Sequence, residues 1–302
     1  MIRIEKLVKT FDGFPALNSL NLHVKKGSLY GLVGVNGSGK TTIIRHISGM
    51  YRQDNGTVEI DGMPVYDNTA VKSRLGYIAD DLYFFGNYSI SALKSFYSRL
   101  YKSWSGERFN EMSALFKLDC HKPVRKFSKG MQKQAAFILA MSVMPDVLLL
   151  DEPIDGLDPL IRRQVMHHII KEAAEREMTV LLSSHNLKEI EGVCDTVGIV
   201  KEGRMVIEKE LDDLKAGTLK LQLAYPPDDK KGRERYKDLN ILHYEKRENS
   251  SIELLIVSGA EDEIMPKVKA HNPLVCEALP LTLDEIFVYE TEGAVNEIFD
   301  EI

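Results

Sequence analysis

The sequence predicts an α/β fold built around a buried parallel sheet, and three stretches of the chain carry this prediction. Residues 28–33 form a short apolar run, which is followed by a glycine-rich loop and then by apolar residues at helical spacing. Residues 147–150 and 178–184 are two further apolar runs, and polar side chains follow each of them. Such runs are typical of central parallel strands, because helices cover both of their faces.

The glycine-rich loop fits the pattern G-x-x-x-x-G-K-[ST], which predicts a nucleotide as the ligand. Glycines let successive backbone N–H groups converge on phosphate oxygens, and the start of the following helix adds its positive end. Lys40 would supply a charge to the phosphates, and the hydroxyl of Thr41 would ligate Mg²⁺. A plain glycine-rich turn before a helix is the alternative. The candidate phosphate-binding residues are Gly34, Asn36, Gly37, Ser38, Gly39, Lys40, Thr41 and Thr42.

Two carboxylates and one imidazole follow the other apolar runs. Asp151 and Glu152 come directly after residues 147–150, at the strand end where open α/β sheets bind ligands. Asp151 suits Mg²⁺, and Glu152 could orient or deprotonate an attacking water. His185 follows residues 178–184, and its place at the same sheet edge favours a functional role over the structural one that a lone histidine usually has.

The middle of the chain, about residues 88–145, predicts a helical subdomain within the nucleotide-binding domain. Near its end, Ser128 is a good helix cap, and Gly130 follows in the first turn, which makes a second possible anion site. Alone this is a weak signal, because a capped helix needs no ligand. Residues 80–86 place two acids beside large apolar side chains, which favours either packing under a helix or a docking surface.

Composition limits the class of protein. A length of 302 residues suggests about two domains, and a net charge of −6 argues against broad binding of nucleic acid. The three cysteines are isolated, which predicts neither a disulfide framework nor a zinc site and suits a reducing cytosol. The sequence shows no signal-peptide pattern and no apolar segment of membrane-spanning length, so we expect a partner to provide any membrane association.

The carboxyl-terminal region, residues 216–302, predicts a small α+β accessory domain. Alternation predicts strands near 219–225, 241–246 and 252–257, and helical stretches near 231–239 and 261–271. Thr282 and Glu285 form a capping box for a further helix. A final amphipathic helix carries Val295, Ile298, Phe299 and Ile302 on one face. We hypothesise that this region reinforces homodimerisation.

Five motifs occur together in a fixed order. They are GVNGSGKT at 34–41, FSKGMQ at 127–132, VLLLDE at 147–152, GLDP at 156–159 and SSH at 183–185. With them, residues 1–215 resemble the ATPase subunit of an ATP-binding-cassette (ABC) transporter. The set is specific, because unrelated phosphate-loop proteins lack the Ser-x-Gly signature just before the acidic strand end.

The resemblance implies ATP and Mg²⁺ as ligands, and it implies roles for individual residues. Glu152 looks like the catalytic base and His185 like the sensor of the γ-phosphate, while Asp158 lies where the family couples two sites. In a head-to-tail homodimer, Ser128 and Gly130 of one subunit would bind the γ-phosphate held by the other. Phe11 matches the adenine-stacking aromatic and is preferred over Phe14. The implied metal ligands are Thr41, Asp80 and Asp151.

Two departures from the family pattern stand out. Asp80 occupies a loop position where the family usually has glutamine; its carboxylate can accept from a metal-bound water, but it cannot donate when ionised. The signature reads Phe127-Ser128-Lys129-Gly130-Met131. This variant resembles bacterial cassettes whose permease is a separate polypeptide, often one for peptide or drug export.

The sequence therefore predicts an ATPase that drives a separate integral membrane permease from the cytoplasmic face of the membrane, as a dimer of cassettes. An ABC-type ATPase that acts on ribosomes or DNA is the alternative from another class, although nucleic acid is not an expected partner. A regulatory subunit with little hydrolysis is a third hypothesis, which Asp80 leaves open and against which Glu152 argues.

Overall fold

The computed structural model describes residues 1–226, 231–246 and 251–290. Contacts divide the chain into two compact units, Met1–Glu208 and Lys209–Ile302. Within the described ranges, no helix combines the length and the apolar character needed to cross a bilayer.

The first unit alternates strands and helices. Its strands are β1 (Ile2–Phe11), β2 (Phe14–Val24), β3 (Leu29–Val33), β4 (Asn55–Ile60), β5 (Met63–Pro64), β6 (Leu75–Ile78), β7 (Val147–Leu150), β8 (Thr179–Ser184), β9 (Thr196–Lys201) and β10 (Arg204–Glu210). Its helices are α1 (Lys40–Ile47), α2 (Thr69–Lys72), α3 (Ile90–Leu100), α4 (Gly106–Phe116), α5 (Lys129–Ser142), α6 (Pro159–Arg176) and α7 (Leu187–Glu191). A 3₁₀ helix, Val124–Lys126, precedes α5.

Two sheets form the framework of this unit. A four-stranded sheet has the order β2-β1-β4-β5, and a turn at Asp12-Gly13, with both φ angles positive, joins its first two strands. A six-stranded sheet has the order β10-β9-β3-β8-β7-β6, and its strands β9, β3, β8, β7 and β6 run parallel. All residues of β7 and β8 are buried, as their apolar runs predict. The carboxyl ends of β3, β6, β7 and β8 therefore share one edge, where the candidate site lies.

Helices α3, α4 and α5 occupy the range predicted to be helical. Ser89, Ser105 and Ser128 cap the amino termini of these helices by accepting hydrogen bonds from backbone N–H groups. Helix α3 ends at Leu100, and α4 begins at Gly106. In α5, every residue from Lys133 to Ser142 is buried, because this helix is covered by the sheet on one side and by its helical neighbours on the other.

The second unit is a small α+β structure. It contains α8 (Leu211–Ala216), β11 (Thr218–Ala224), a 3₁₀ helix (Gly232–Tyr236), β12 (Asn240–Lys246), β13 (Ile252–Ser258), α9 (Glu261–Lys269), β14 (Val275–Leu279) and α10 (Leu283–Glu290). The sheet is antiparallel with the order β12-β13-β11-β14. Its core includes Leu221, Leu223, Leu255 and Val257, which alternate along two neighbouring strands.

Most sequence predictions for this region agree with the structure, with three differences. The helical stretch expected near 231–239 is only a short 3₁₀ helix, and β14 has no counterpart among the predicted strands. The predicted boundary at 215 falls within α8, whereas contacts assign the whole of α8 to the second unit. Thr282 and Glu285 form the expected capping box. The predicted final helix, residues 295–302, lies outside the described residues.

Candidate nucleotide-binding and hydrolysis site

The loop between β3 and α1 has a backbone that only glycine can supply. Gly37 and Gly39 adopt φ angles of 83° and 113°, in the left-handed region. At Gly34, an added Cβ would lie 2.3 Å from the carbonyl oxygen of Val200. The loop therefore brings its own backbone close to a neighbouring strand, and its N–H groups precede the amino terminus of α1, an arrangement suited to phosphate.

Lys40 is buried, and its ammonium group has two carbonyl acceptors and one carboxylate as partners. Its Nζ donates hydrogen bonds to the carbonyl oxygens of Gly34 at 2.5 Å and Val35 at 3.2 Å. The same Nζ lies 3.5 Å from Oε1 of Glu152, also buried. These contacts bring the phosphate-loop lysine and the carboxylate after β7 together, as the sequence predicts from the shared sheet edge.

Glu152 is held by its backbone and by its side chain. Its φ of 45° lies in the left-handed region, which is unfavourable for a residue with a Cβ. Its N–H donates to Oγ of Ser183 at 3.0 Å, and its Oε2 lies 3.1 Å from Nδ1 of His185. The candidate base and the candidate sensor are therefore in direct contact.

A separate set of oxygen atoms offers the ligand types that a magnesium ion prefers. Oδ1 of Asp151 accepts hydrogen bonds from Oγ1 of Thr41 at 3.1 Å and from Oγ of Ser183 at 2.8 Å. Asp151 is 1% exposed, and in the ranges that the structure describes no cation pairs with it. A buried carboxylate beside hydroxyl oxygens, without a countercharge, fits a hard divalent cation. Two of the three predicted metal ligands thus lie side by side.

Asp155 adds to the acidic groups near Glu152 and was not predicted from the sequence. One ligand atom each from Glu152, Asp155 and His185 can lie within 4.8 Å of the others. Asp80, the third predicted metal ligand, lines the same cavity as Glu152, and its Oδ1 lies 3.4 Å from Nζ of Lys133.

A cavity of about 700 Å³ opens over the phosphate loop. Eight of the predicted site residues line it, namely Asn36, Gly37, Gly39, Lys40, Thr41, Thr42, Asp80 and Glu152. The remaining lining residues are Phe14, Pro15, Ala16, Asn18, Glu202, Gly203 and Arg204. These residues come from β2 and from the turn between β9 and β10. Apart from Phe14, the second aromatic candidate, the sequence did not point to this wall, because its residues carry no motif and meet only through the sheet order.

The aromatic residue at the cavity is Phe14 rather than Phe11. Phe14 is 72% exposed and lines the cavity, whereas Phe11 is 38% exposed and does not line it. Phe11 instead packs edge-on against Tyr51, with ring centroids 5.4 Å apart. The lining of the cavity thus does not support the preference for Phe11, which stays a prediction.

Ser128, Gly130 and Asp158 do not line the cavity of their own chain. Ser128 caps α5, and Asp158 caps α6 by accepting from the N–H groups of Leu160 and Ile161, each at 3.1 Å. At Gly130, an added Cβ would lie 2.7 Å from the carbonyl oxygen of Gly156. Each of these residues therefore has a local structural role, which is separate from the ligand contacts that the resemblance implies.

His46 is a buried residue of α1, and its imidazole bonds within its own helix. Its Nδ1 lies 2.7 Å from the carbonyl oxygen of Thr42. Burial lowers the pKa of His46, and Lys9 acts in the same direction, against the opposing effects of the Thr42 carbonyl and Asp54. The helix that presents Lys40 and Thr41 thus contains a buried imidazole whose pKa lies below its usual value.

Comparisons with known proteins agree with this geometry. Residues 17–155 match the ABC transporter family. The chain is 29% identical over 298 residues to the ABC transporter ATP-binding protein YtrB of Bacillus subtilis (strain 168). The aligned region covers 97% of this chain and 99% of YtrB. It is 33% identical over 218 residues to the bacitracin transport ATP-binding protein BcrA of Bacillus licheniformis, with 71% of each chain covered.

Solved structures show the same fold. The ATP-binding subunit of an ABC transporter superposes with a TM-score of 0.66 at 25% identity, over 71% of this chain and 92% of that one. A dimeric ATP-binding cassette bound to ADP and Pi superposes with a TM-score of 0.64 at 23% identity, over 70% and 99%. The chain therefore belongs to the ATP-binding subunits of ABC transporters, the ATPases that bind and hydrolyse ATP in these systems.

Proposed function

We propose that this ATPase powers a separate membrane permease, and that two copies of the chain close head to tail around ATP. One observation carries the proposal. The signature residues Ser128 and Gly130 start a helix but do not line the cavity that contains Lys40 and Glu152 of the same chain. If these residues contact a γ-phosphate, the phosphate belongs to a second copy, so a complete site requires a dimer.

Binding of ATP would change the partners of Lys40. Its ammonium group is shared between two loop carbonyls and Glu152. A γ-phosphate offers a stronger negative charge in the same cavity, so Lys40 would turn to the phosphate. Glu152 would then lose its cationic partner and be free to accept a proton from an attacking water, while His185 keeps hold of Oε2.

Thr41, Asp151 and Asp80 are the residues that would hold Mg²⁺. The adjacent oxygen atoms of Thr41 and Asp151 support the first two assignments, and the position of Asp80 on the cavity wall supports the third. When bound, the ion offsets the negative charge of the β- and γ-phosphates. Oγ of Ser183 bridges this group to Glu152, because it donates to Asp151 and accepts from the N–H of Glu152.

An exposed aromatic patch is the feature that best fits a permease partner. We define the patch as Tyr83, Phe85, Tyr88 and Phe96. Their exposed fractions run from 41% for Phe96 to 87% for Tyr83, and Phe85 contacts the other three rings with centroids 5.8–6.4 Å apart. Grouped aromatic side chains at a surface are characteristic of protein interfaces. Docking there would place the chain at the cytoplasmic face of the membrane.

The names of relatives support export of a peptide or drug as the transport reaction. Besides the bacitracin protein, they include the lantibiotic transport ATP-binding protein SrtF of Streptococcus pyogenes, at 32% identity over 70% of this chain and 92% of SrtF. A probable multidrug transporter protein of Escherichia coli, YbhF, is 31% identical over 72% of this chain and 38% of YbhF.

The test is capture of the partner in the ATP-bound state. Tagged Glu152→Gln chain, expressed in its native cell and held in Mg-ATP, should co-purify from detergent extracts with a stoichiometric polytopic membrane protein. Glu175→Gln, the same substitution at an exposed site of α6, is the matched control and should not be trapped. Recovery of ribosomes or DNA-bound proteins without a membrane partner would overturn the transporter assignment.

The carboxyl-terminal region is proposed to reinforce the dimer. This proposal rests on the α+β structure, which forms a compact unit distinct from the cassette. Deletion of residues 216–302 should weaken self-association measured by sedimentation equilibrium. An unchanged association constant would contradict it.

A further inference from the structure

Lys133 is a buried lysine to which no sequence motif points. Its side chain is 6% exposed, although lysine is rarely buried unless its charge has partners. Its Nζ donates a hydrogen bond to the backbone carbonyl oxygen of Glu152 at 2.6 Å, and the same nitrogen lies 3.4 Å from Oδ1 of Asp80. Lys133 therefore joins two residues of the cavity wall without lining the cavity itself.

The contact with Glu152 falls where the backbone needs support. Because the φ of Glu152 is in the left-handed region, its conformation persists only if neighbouring groups fix it. Two side chains do so. Ser183 accepts from the N–H of Glu152, and Lys133 donates to its carbonyl oxygen. The direction of the Glu152 side chain, and hence its distance from Lys40 and His185, follows from this pair of hydrogen bonds.

The contact with Asp80 supplies the second half of the connection. Asp80 follows β6, and 56% of its side chain is exposed at the cavity. A carboxylate there is able to turn toward a cationic group bound in the cavity. Any such movement weakens its attraction to Lys133, and the ammonium group is then left with the carbonyl of Glu152 as its nearest acceptor.

We infer that Lys133 is a positioning residue that couples Asp80 to Glu152. Through Lys133, the state of Asp80 sets how firmly the backbone of Glu152 is held, and the coupling free energy acts equally in the reverse direction. This inference rests on the proposed role of Glu152 as the base. It gives Asp80 a function besides metal ligation, because Asp80 acts on Glu152 through the buried ammonium group of Lys133.

The test separates positioning from a merely structural role by kinetics. Lys133→Met removes the charge and the donor with little change in length, Lys133→Gln keeps a donor, and Lys133→Arg keeps both properties. For each full-length variant we would measure kcat and KM for ATP, the Kd of a fluorescent ATP analogue in EDTA, and the midpoint of thermal unfolding. Lys126→Met, at an exposed lysine ahead of the same helix, is the matched control.

Lys133→Met should lower kcat about tenfold or more, because small displacements of a catalytic group are costly. Its KM and its Kd in EDTA should stay within about twofold of the parent values, since Lys133 does not line the cavity. Lys133→Arg should restore most of the rate. Unchanged kcat in a folded Lys133→Met protein would overturn the inference. So would a general loss, in which kcat falls, the Kd for the ATP analogue rises and the unfolding midpoint falls together. If that variant fails to fold, Lys133→Gln decides the same question.

The coupling itself is tested by a double-mutant cycle. Asp80→Asn should alter kcat in the parent protein, and it should alter kcat much less in the Lys133→Met background. Additive effects would contradict a connection through Lys133. Glu152→Gln, measured in parallel, keeps the two proposals apart. Hydrolysis at the parent rate in that variant would refute the base assignment, whereas loss of hydrolysis there with a normal Lys133→Met rate would refute the inference alone.

Discussion

Each unit of the molecule contains a buried pair of a cation and a carboxylate, and the two pairs are built differently. In the cassette, Nζ of Lys40 lies 3.5 Å from Oε1 of Glu152 and also donates to two loop carbonyls. In the carboxyl-terminal unit, Nη1 of Arg235 donates to both carboxylate oxygens of Glu253, at 3.2 and 3.0 Å. The first pair is loose and the second is tight.

The two pairs also differ in their surroundings, because the first lies at a cavity and the second is enclosed by other side chains. Lys40 and Glu152 both line the cavity. Arg235 and Glu253 have side chains only 1% exposed, and the guanidinium lies 3.6 Å from the centroid of the Tyr225 ring. The hydroxyl of Tyr236 lies 3.3 Å from Oε2 of Glu253, and burial raises the pKa of this hydroxyl, so it stays protonated as a donor. The comparison indicates that a loose pair at a cavity serves ligand exchange, whereas a tight and enclosed pair serves stability.

The same substitution in each pair should lower the free energy of unfolding by very different amounts. Glu253→Gln leaves Arg235 buried opposite a neutral group, so we expect the carboxyl-terminal unit to lose about 3–5 kcal/mol of unfolding free energy. Glu152→Gln should cost less than Glu253→Gln does, because Lys40 keeps its two carbonyl acceptors. Hydrogen exchange of peptides from β13 and β7 measures the two units separately.

Replacement of the whole enclosed pair provides the control. Arg235→Met with Glu253→Leu removes both charges and should recover most of the stability lost in Glu253→Gln. Equal destabilisation by Glu152→Gln and Glu253→Gln would show that the two pairs have the same role, and the comparison would fail.

A side chain added at the cavity wall should destabilise the cassette more than the loss of the Glu152 charge does. At Gly203, with a φ of 71°, a new Cβ would lie 2.5 Å from the carbonyl oxygen of Ala16. We expect Gly203→Ala to cost about 2 kcal/mol or more in urea unfolding. Gly13→Ala is the control, since Gly13 also has a positive φ but no atom lies within 4 Å of its added Cβ, and it should cost about 1 kcal/mol. Equal losses would mean that backbone conformation alone matters.

The ring faces of the two units offer a smaller test. Arg235 lies 3.6 Å from the centroid of the Tyr225 ring, whereas Lys9 lies 5.4 Å from that of Phe11, and Phe11 and Phe14 are partly and largely exposed. The contact with Tyr51 orders the Phe11 ring in advance, so stacking on adenine would cost less entropy there. We expect Phe11→Ala to weaken ATP binding about tenfold and Phe14→Ala less, as measured by fluorescence titration. The reverse order would identify Phe14 as the stacking residue.

Sequence patterns predicted those parts of the molecule in which residue type and local geometry are tied together. The glycines of the phosphate loop, the apolar runs of β7 and β8, and the cap at Ser128 are of this kind. The contact between Lys40 and Glu152 was also predictable, because the carboxyl ends of parallel strands meet at one edge.

The remaining features depend on distant parts of the chain. Lys133 is one more polar residue in a helix until the structure places its Nζ beside Glu152 and Asp80. The Arg235–Glu253 pair is similar, since residues 228–235 have the mixed charges of a solvated segment, yet Arg235 is buried. Burial of a charge is set by the partner that tertiary structure supplies, and one sequence does not reveal that partner.

The central claim is that the signature of one copy completes the site of another, and Ser128→Asp tests it most directly. Aspartate keeps the cap on α5 that Ser128 provides, but it adds a negative charge where the partner's γ-phosphate would lie. In sedimentation velocity with Mg-ATP, Glu152→Gln should form a dimer, and so should its combination with Ser128→Thr. The combination with Ser128→Asp should remain a monomer that still binds ATP. A dimer of equal stability in the Ser128→Asp protein would contradict the account.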